Sequence, residues 1–473
     1  MAATTFDIGM VGLGVMGRNL LLNMADHGYG VAGLDTDASK VQALKSEGAG
    51  KKVEATVDVK AFVGLLKSPK AIILLVPAGK AVDAVIGQLT PLLNVGDLII
   101  DAGNSQFKDT DRRARELDAK QLHFFGMGVS GGEAGARHGP SLMPGGPREA
   151  YEHVRPILEA VAANVQGKPC VTYLGPGACG HYVKMVHNGI EYGLMQILAE
   201  TYDLLHRGLD MDNFELAKIF EHWNQGELGS FLIEITAKIF RKLDSKTGKH
   251  LIDMVLDVAR QKGTGKWTSQ EAMDLQVPLL TVDAAVGLRD MSAYEQERAT
   301  ASKLLHGAHG AFGGDAKAFV QHLAHACYVA TVVTYAQGFV MMRKASQTYG
   351  YNLNLEEVAR IWRGGCIIRA ALLDDIRAAF QAQPDLPNLL LDPKISQEIM
   401  KRQRELRSVV RAAIDLGIPA AGLMNALAYF DAYRTARLPS NLTQAQRDFF
   451  GAHTYERIDE KGTFHSRWDA DFD

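Results

Sequence analysis

Cysteine is scarce: Cys170, Cys179, Cys327 and Cys366 are the four in 473 residues, and no two of them form a CxxC pair. That spacing argues against a disulfide scaffold and places no metal on the thiols, which are expected to be free in a reducing compartment. A long block of one charge sign is also missing, and the formal net charge is only -3. Neither nucleic acid nor an anionic membrane is therefore expected as a partner. No apolar run reads as a membrane span, and MAATTFDIG lacks the basic region and apolar stretch of a signal peptide, so the expected location is cytoplasmic.

What the chain has in quantity is apolar residues, 47% of the total, enough to bury a large core in two or three domains. Strand-length apolar segments such as Ile8 to Val11, Ala71 to Val76 and Leu98 to Ile100 alternate with helical patterns through about residue 178. This order predicts an α/β domain over residues 1–178, a parallel Rossmann-like sheet covered by helices. From Cys179 the strand-like runs nearly vanish and Ala-, Leu-, Met- and Glu-rich segments follow, predicting a large all-α domain over 179–436. Within it Glu215 to Phe220 (ELAKIF) is echoed by Glu357 to Trp362 (EVARIW), a hint of internal helical duplication. Residues 437–473 have no sustained periodicity and read as a tail that another surface must order.

Chemistry enters first at Gly12-Leu13-Gly14-Val15-Met16-Gly17, a GxGxxG directly after a strand and before a helix. Such glycines permit a tight turn, close approach to a pyrophosphate and close helix packing. The next strand ends at Asp35, where a carboxylate meets an adenine ribose, so a dinucleotide is the expected ligand. Asp35-Thr36-Asp37 offers two acids and no arginine, which favours NAD over NADP because a ribose phosphate would be repelled. Asp37 is equally suited to capping the helix that begins near Ala38.

Lys184, His187, Asn188 and Glu191 fall at i, i+3, i+4 and i+7 and share one helix face. A solvated face is the ordinary reading of that spacing, but the His, the Asn and a mid-helix Gly189 suit the wall of a polar cleft better. Two glycine-bearing loops, Asp101 to Ser105 and Gly128 to Gly132, follow strands, where α/β sheets bind ligands. Gln261 to Trp267 (QKGTGKW) combines two lysines with small residues and suits a phosphate, without the spacing of a P-loop; alone it also reads as a solvated loop.

These strings together resemble the decarboxylating 6-phosphogluconate dehydrogenase family from end to end: GLGVMG, IILLVPAG, DAGNS, GVSGGEAGARHGPSLMPGG, HYVKMVHNGIEYG, SFLIEIT, QKGTGKW and QRDFFGAHTYER. The resemblance implies oxidative decarboxylation of 6-phosphogluconate with a nicotinamide cofactor and no metal, in a homodimer whose tails cross between subunits. It makes Lys184 the general base and Glu191 the general acid. Asn104, His187 and Asn188 would orient the reacting hydroxyl and the nicotinamide, and Ser130, Gly131 and Gly132 would hold the carboxylate end. Tyr192, Lys262, Thr264 and Arg289 would grip the phosphate, joined by Arg447 and His453 from the second subunit. The nucleotide would lie on the glycine loop with Asp35, Thr36, Val76, Pro77 and Asn104.

Two departures from the family pattern remove positive charge. NADP-preferring members look like Asn-Arg-Thr at 35–37, and a lysine commonly stands where this chain has Pro77; Lys80 is near enough in sequence to compensate. The rival readings are a shorter, non-decarboxylating β-hydroxyacid dehydrogenase and a catalytically silent nucleotide-binding protein. The long helical domain, with QKGTGKW and QRDFFGAHTYER, speaks against the first; Lys184 and Glu191 speak against the second.

Overall fold

The computed structural model describes residues 5–308, 310 and 312–469. Seven strands form one sheet: β1 (Ile8–Val11), β2 (Val31–Leu34), β3 (Val53–Thr56), β4 (Ala71–Leu74), β5 (Leu98–Asp101), β6 (His123–Ser130) and β7 (Ser141–Pro144). Their spatial order is β3-β2-β1-β4-β5-β6-β7, parallel except for the β6–β7 pair. Chain direction away from β1 reverses between β1 and β4, the switch point at which doubly wound sheets open a ligand crevice.

The apolar runs are short and unbroken because both faces of the sheet are covered. Ile8, Met10, Ile73 and Ile100 pack into one core, while Val11, Leu34, Ile72, Leu74 and Ile99 pack into the other. Register makes the C-terminal edge level: Val11 pairs with Leu34 and with Leu74, and Leu74 pairs with Asp101. Gly12, Asp35, Leu75 and Ala102 therefore leave the sheet side by side.

Apart from a short antiparallel pair, Asn164–Val165 with Lys168–Pro169, the remaining chain to residue 426 is mainly helical, and two long helices, Cys179–Asp203 and Ala316–Tyr349, are largely buried. The second corrects the expectation that no segment resembles a membrane span. It has the length and an 18-residue window of mean hydropathy 1.2, but 83% of that window is buried inside the protein. The two echoed segments both start helices at the same turn position. Asp212 caps Asn213–Trp223 through the Glu215 N–H, and Asn354 caps Leu355–Ile361 through the Glu357 N–H.

Compactness separates Met1–Ala426 from Leu427–Asp473. The second unit is more ordered than its sequence suggests, because Ser440–Gly451 is a helix. At its C-terminal end the buried Asp448 carboxylate accepts from Thr454 N–H (2.9 Å), His465 Nδ1 (2.9 Å), Ser466 N–H (3.1 Å) and Trp468 Nε1–H (2.8 Å). These donors hold its pKa down to about 2 although burial opposes them. A single carboxylate thus does locally what an apolar core does elsewhere.

Candidate active site

The nucleotide end of the site is built on the level strand edge. Gly12 has φ +96°, and a Cβ there would lie 2.4 Å from the Leu75 carbonyl oxygen, so only glycine fits. Next to it Leu13 N–H donates to Asp35 Oδ2 at 2.8 Å and Asp37 N–H donates to Asp35 Oδ1 at 2.9 Å. Each carboxylate oxygen keeps acceptor capacity beyond those bonds. Thr36 and Asp37 are exposed, and Asp37 caps Ala38–Glu47 through Ser39 N–H. A cleft of about 720 Å³ is lined by Gly14, Val15, Met16, Gly17, Val76, Pro77 and Asn104, with Lys262 and Trp267 reaching it from the helical part. The glycine turn, the acid at the end of β2 and this cleft together fit a dinucleotide.

The chemical end lies on the Cys179–Asp203 helix. The face carrying Lys184, His187 and Asn188 is buried, not solvated, and Glu191 is about one-fifth exposed. Lys184 packs against β6, where a Cβ on Gly128 would come within 2.5 Å of its side chain. Around His187 Nδ1 stand Asn188 Oδ1 at 3.1 Å, Lys184 Nζ at 3.5 Å and Glu191 Oε2 at 3.8 Å. Burial lowers the Lys184 amine below its usual range, with Glu191 pulling the other way. It likewise lowers His187, aided by Lys184, and raises Glu191 against the pull of Lys184 and Arg289. An amine biased to be neutral beside a carboxyl biased to be protonated is an acid–base pair.

Ser130 closes this end. Its hydroxyl accepts from Ile367 N–H at 3.4 Å, which leaves its own hydrogen free to donate to neutral His187 Nε2 at 3.3 Å. Gly131, at φ +119°, faces the Gly365 carbonyl, 2.6 Å from where its Cβ would be. The segment Trp362 to Ile367 was missed by sequence reasoning, although its Gly364-Gly365 pair marks a close approach. Trp362 meets His187 edge-on at 5.5 Å. Cys366, its thiol pushed up to about 12 by burial, donates to the Trp362 carbonyl and is inert.

The expected phosphate residues are brought together in part. The Arg289 guanidinium lies 3.5 Å over the Tyr192 ring. Gly265, next to the buried Thr264, packs on the same ring. The expected flexible loop is shorter than predicted: at Gly263 the chain turns and the Thr264–Asp274 helix begins. Lys262 is exposed and lines the nucleotide cleft. Arg447 and His453 belong to the Leu427–Asp473 unit, both exposed, with Arg447 bonded to Gln444 at 3.0 Å.

A Rossmann sheet ending in a glycine turn, set against a helix bearing a buried acid–base pair, defines a dinucleotide-binding protein equipped for proton transfer. Comparison narrows the class. Residues 7–175 match the NAD binding domain of 6-phosphogluconate dehydrogenase and residues 180–468 match its C-terminal domain. This chain belongs to the 6-phosphogluconate dehydrogenase family. It is 51% identical to a decarboxylating 6-phosphogluconate dehydrogenase of Synechocystis sp. over 99% of this chain and 98% of that one. It is 50% identical to a Bacillus subtilis relative named as NADP(+)-dependent and decarboxylating, over 98% and 99%. A solved Plasmodium falciparum 6-phosphogluconate dehydrogenase, described in apo form and in complexes with NADP+ and with 6-phosphogluconate, superposes with a TM-score of 0.94. It is 42% identical and covers 98% of this chain and 100% of that one.

Proposed function

We propose that the protein oxidatively decarboxylates 6-phosphogluconate to ribulose 5-phosphate and carbon dioxide, reducing NAD in preference to NADP. The observation that carries the reading is the buried Lys184 amine beside His187 and Glu191, with amine and carboxyl shifted in opposite directions. The division that goes with it is a nucleotide domain over 1–178, a substrate domain over 179–436 and a tail over 437–473.

When bound, the nicotinamide accepts hydride from C3 of the substrate. Lys184, neutral at the outset, takes the C3 hydroxyl proton, and as an ammonium it then polarises the new C3 ketone. The resulting β-keto acid loses carbon dioxide with the electrons drawn toward that polarised oxygen, leaving an enediol. Lys184 gives its proton to the C3 oxygen as the enediol forms and takes it back as Glu191 protonates the neighbouring carbon, C2 of the substrate and C1 of ribulose 5-phosphate, a proton that its raised pKa equips Glu191 to hold until then. Asn104, His187 and Asn188 orient the hydroxyl and the nicotinamide, while Ser130, Gly131 and Gly132 hold the carboxylate end. Tyr192, Lys262, Thr264 and Arg289 bind the phosphate, with Arg447 and His453 contributed by a second copy in a homodimer. Exposed Phe449, Phe450 and Ile458 on the tail, apolar surface that a partner would remove from water, support that last assignment.

The reading is tested by steady-state oxidation of 6-phosphogluconate with NAD and NADP in parallel, following reduced nicotinamide and released carbon dioxide. A higher kcat/KM with NAD is expected. An NADP advantage overturns the cofactor assignment alone, and no turnover with either overturns the substrate.

Two variants extend the test. Arg447→Ala is expected to raise KM for 6-phosphogluconate about tenfold or more with little change in kcat, because a phosphate grip is made equally in ground and transition states. A loss confined to kcat would count against it. Glu191→Gln is expected to lower kcat by about 10²-fold or more. It should also stabilise the fold as pH rises. The wild-type carboxyl, raised above 4.5 by burial, contributes stability fully below 4.5 and loses it as pH climbs through the folded-state pKa. The variant lacks that loss, so its gain in stability should be absent in acid and full above the window. Chemical denaturation across pH reads it, and a gain independent of pH would exclude Glu191 as the titrating group.

A further inference from the structure

A buried charge bonded to the walls of the cleft is one the proposed chemistry does not use. Arg113, 1% exposed, lies on the Phe107–Asp118 helix behind the nucleotide cleft. Its NH1 donates to Asp101 Oδ2 at 3.3 Å and to Ser105 Oγ at 3.4 Å, its Nε to Asp83 Oδ1 at 2.8 Å and its NH2 to the Gly79 carbonyl at 3.0 Å. Asp101 in turn accepts from Gly103 N–H at 3.1 Å and from the Ser105 hydroxyl at 2.6 Å. Gly79 ends the Val76 to Gly79 wall of the cleft, and Gly103 and Asn104 form the wall beside it. The two loops nearly touch, since a Cβ on Gly103 would lie 3.2 Å from the Val76 carbonyl.

One guanidinium therefore ties both loops to one rigid helix. A fork of fixed geometry suits this task, because its donors reach several acceptors without freedom to swing. The same helix has a separate anchor one turn away, where Thr110 Oγ1 lies 2.6 Å from Nδ1 of buried His181 on the Lys184-bearing helix. Losing Arg113 would release the Gly79 carbonyl and the Asp101–Ser105 pair from the helix, although Arg112 still bonds Asp83 at 2.9 Å and Asp101 still holds Gly103 and Ser105, without freeing the helix from the acid–base end.

We propose that Arg113, paired with Asp101, is a positioning residue that sets the spacing of the two loops around the nucleotide and thereby governs nucleotide affinity far more than substrate affinity, because the loops touch the substrate only through Asn104. This rests on reading the cleft as the nucleotide site.

The test uses Arg113→Met, Arg113→Lys and Ser105→Ala, each measured by fluorescence titration with NADH and by KM for NAD and for 6-phosphogluconate. Arg113→Met is expected to weaken NADH binding and raise the NAD KM by about tenfold or more, with the 6-phosphogluconate KM within about twofold, since small misplacements at a site carry large penalties. Arg113→Lys should recover part of the loss. Should Arg113→Met fail to fold, with Asp101 left buried and unpaired, Ser105→Ala removes one neutral donor and should still weaken NADH binding by about threefold or more. Unchanged NADH affinity in the folded variants, or equal rises in both KM values, overturns the proposal. Because NADH binding is read without turnover, a wild-type protein inactive on 6-phosphogluconate would sink the proposed function while leaving this inference to be judged by the titration.

Discussion

Lys184→Met is expected to lower kcat by about 10²-fold to 10⁴-fold, the usual contribution of a positioned general base, while making the folded protein more stable at neutral pH. The two effects share a cause. Burial disfavours the ammonium, so the folded protein bears a cost for that charge whenever the amine is protonated. The sign follows from proton counting. With a folded-state pKa below the ordinary 10.5, the unfolded chain binds more protons between the two values, so wild-type stability rises with pH across that window. Below the window both states are protonated and the cost is complete. Methionine, similar in shape and without charge, removes it, so the variant's advantage is greatest at low pH and fades as pH approaches 10.5.

This pH trend is opposite to the one expected for Glu191→Gln, and the pair separates function from packing. If the Lys184 side chain merely filled space against Gly128, its replacement would lower stability at every pH and leave kcat near normal. A residue whose loss strengthens the fold and stops turnover is one kept at the expense of stability. Denaturation of both variants at several pH values, beside their kcat, distinguishes these cases.

The parts of the site that were legible in the sequence are those specified within a few residues. Gly12 signals its turn because only glycine tolerates φ +96° against the Leu75 carbonyl. Asp37 signals a helix start because a cap needs only Ser39 two residues on. Lys184, His187 and Glu191 share a face wherever a helix forms. Whether that face meets water or protein is not local. It is decided by β6 and by Trp362, which lies far along the chain and packs on His187. The same holds for the contact of Gly131 with Gly365, which joins segments more than 200 residues apart. Asp448 illustrates the limit at short range. Its donors at Thr454, His465, Ser466 and Trp468 are close in sequence, but they come from aperiodic loop backbone and mixed side chains, which carry no helical or strand pattern to read. The Ala316–Tyr349 helix shows the converse, a segment whose composition fits two environments and whose neighbours choose between them.

The cofactor should follow the charges at the end of β2. Wild-type protein is expected to favour NAD over NADP in kcat/KM by about 10²-fold, and Asp35→Asn combined with Thr36→Arg should move that ratio by at least as much toward NADP. The magnitude follows from Coulomb's law: one unpaired charge about 6 Å from a ribose phosphate at an effective dielectric near 20 is worth about 3 kcal/mol, or about 10²-fold. Asp35 and Asp37 supply two negative charges. Lys40 offsets one, its Nζ 3.5 Å from Asp35 and 3.9 Å from Asp37, leaving a net negative site, and Asp35-Thr36-Asp37 itself offers no guanidinium to receive a phosphate. Asparagine is the chosen replacement because Asp35 also holds the glycine loop through Leu13 N–H. Its one amide oxygen can keep that bond at the expense of the bond from Asp37 N–H, so the glycine loop stays held while the charge is removed. Arginine at the exposed position 36 then adds a donor fork that matches phosphate. Lys40→Ala alone should sharpen the preference for NAD by exposing the second carboxylate. A wild-type ratio near unity, or a double variant that loses NAD turnover without gaining NADP turnover, would mean that specificity is set elsewhere along the nucleotide.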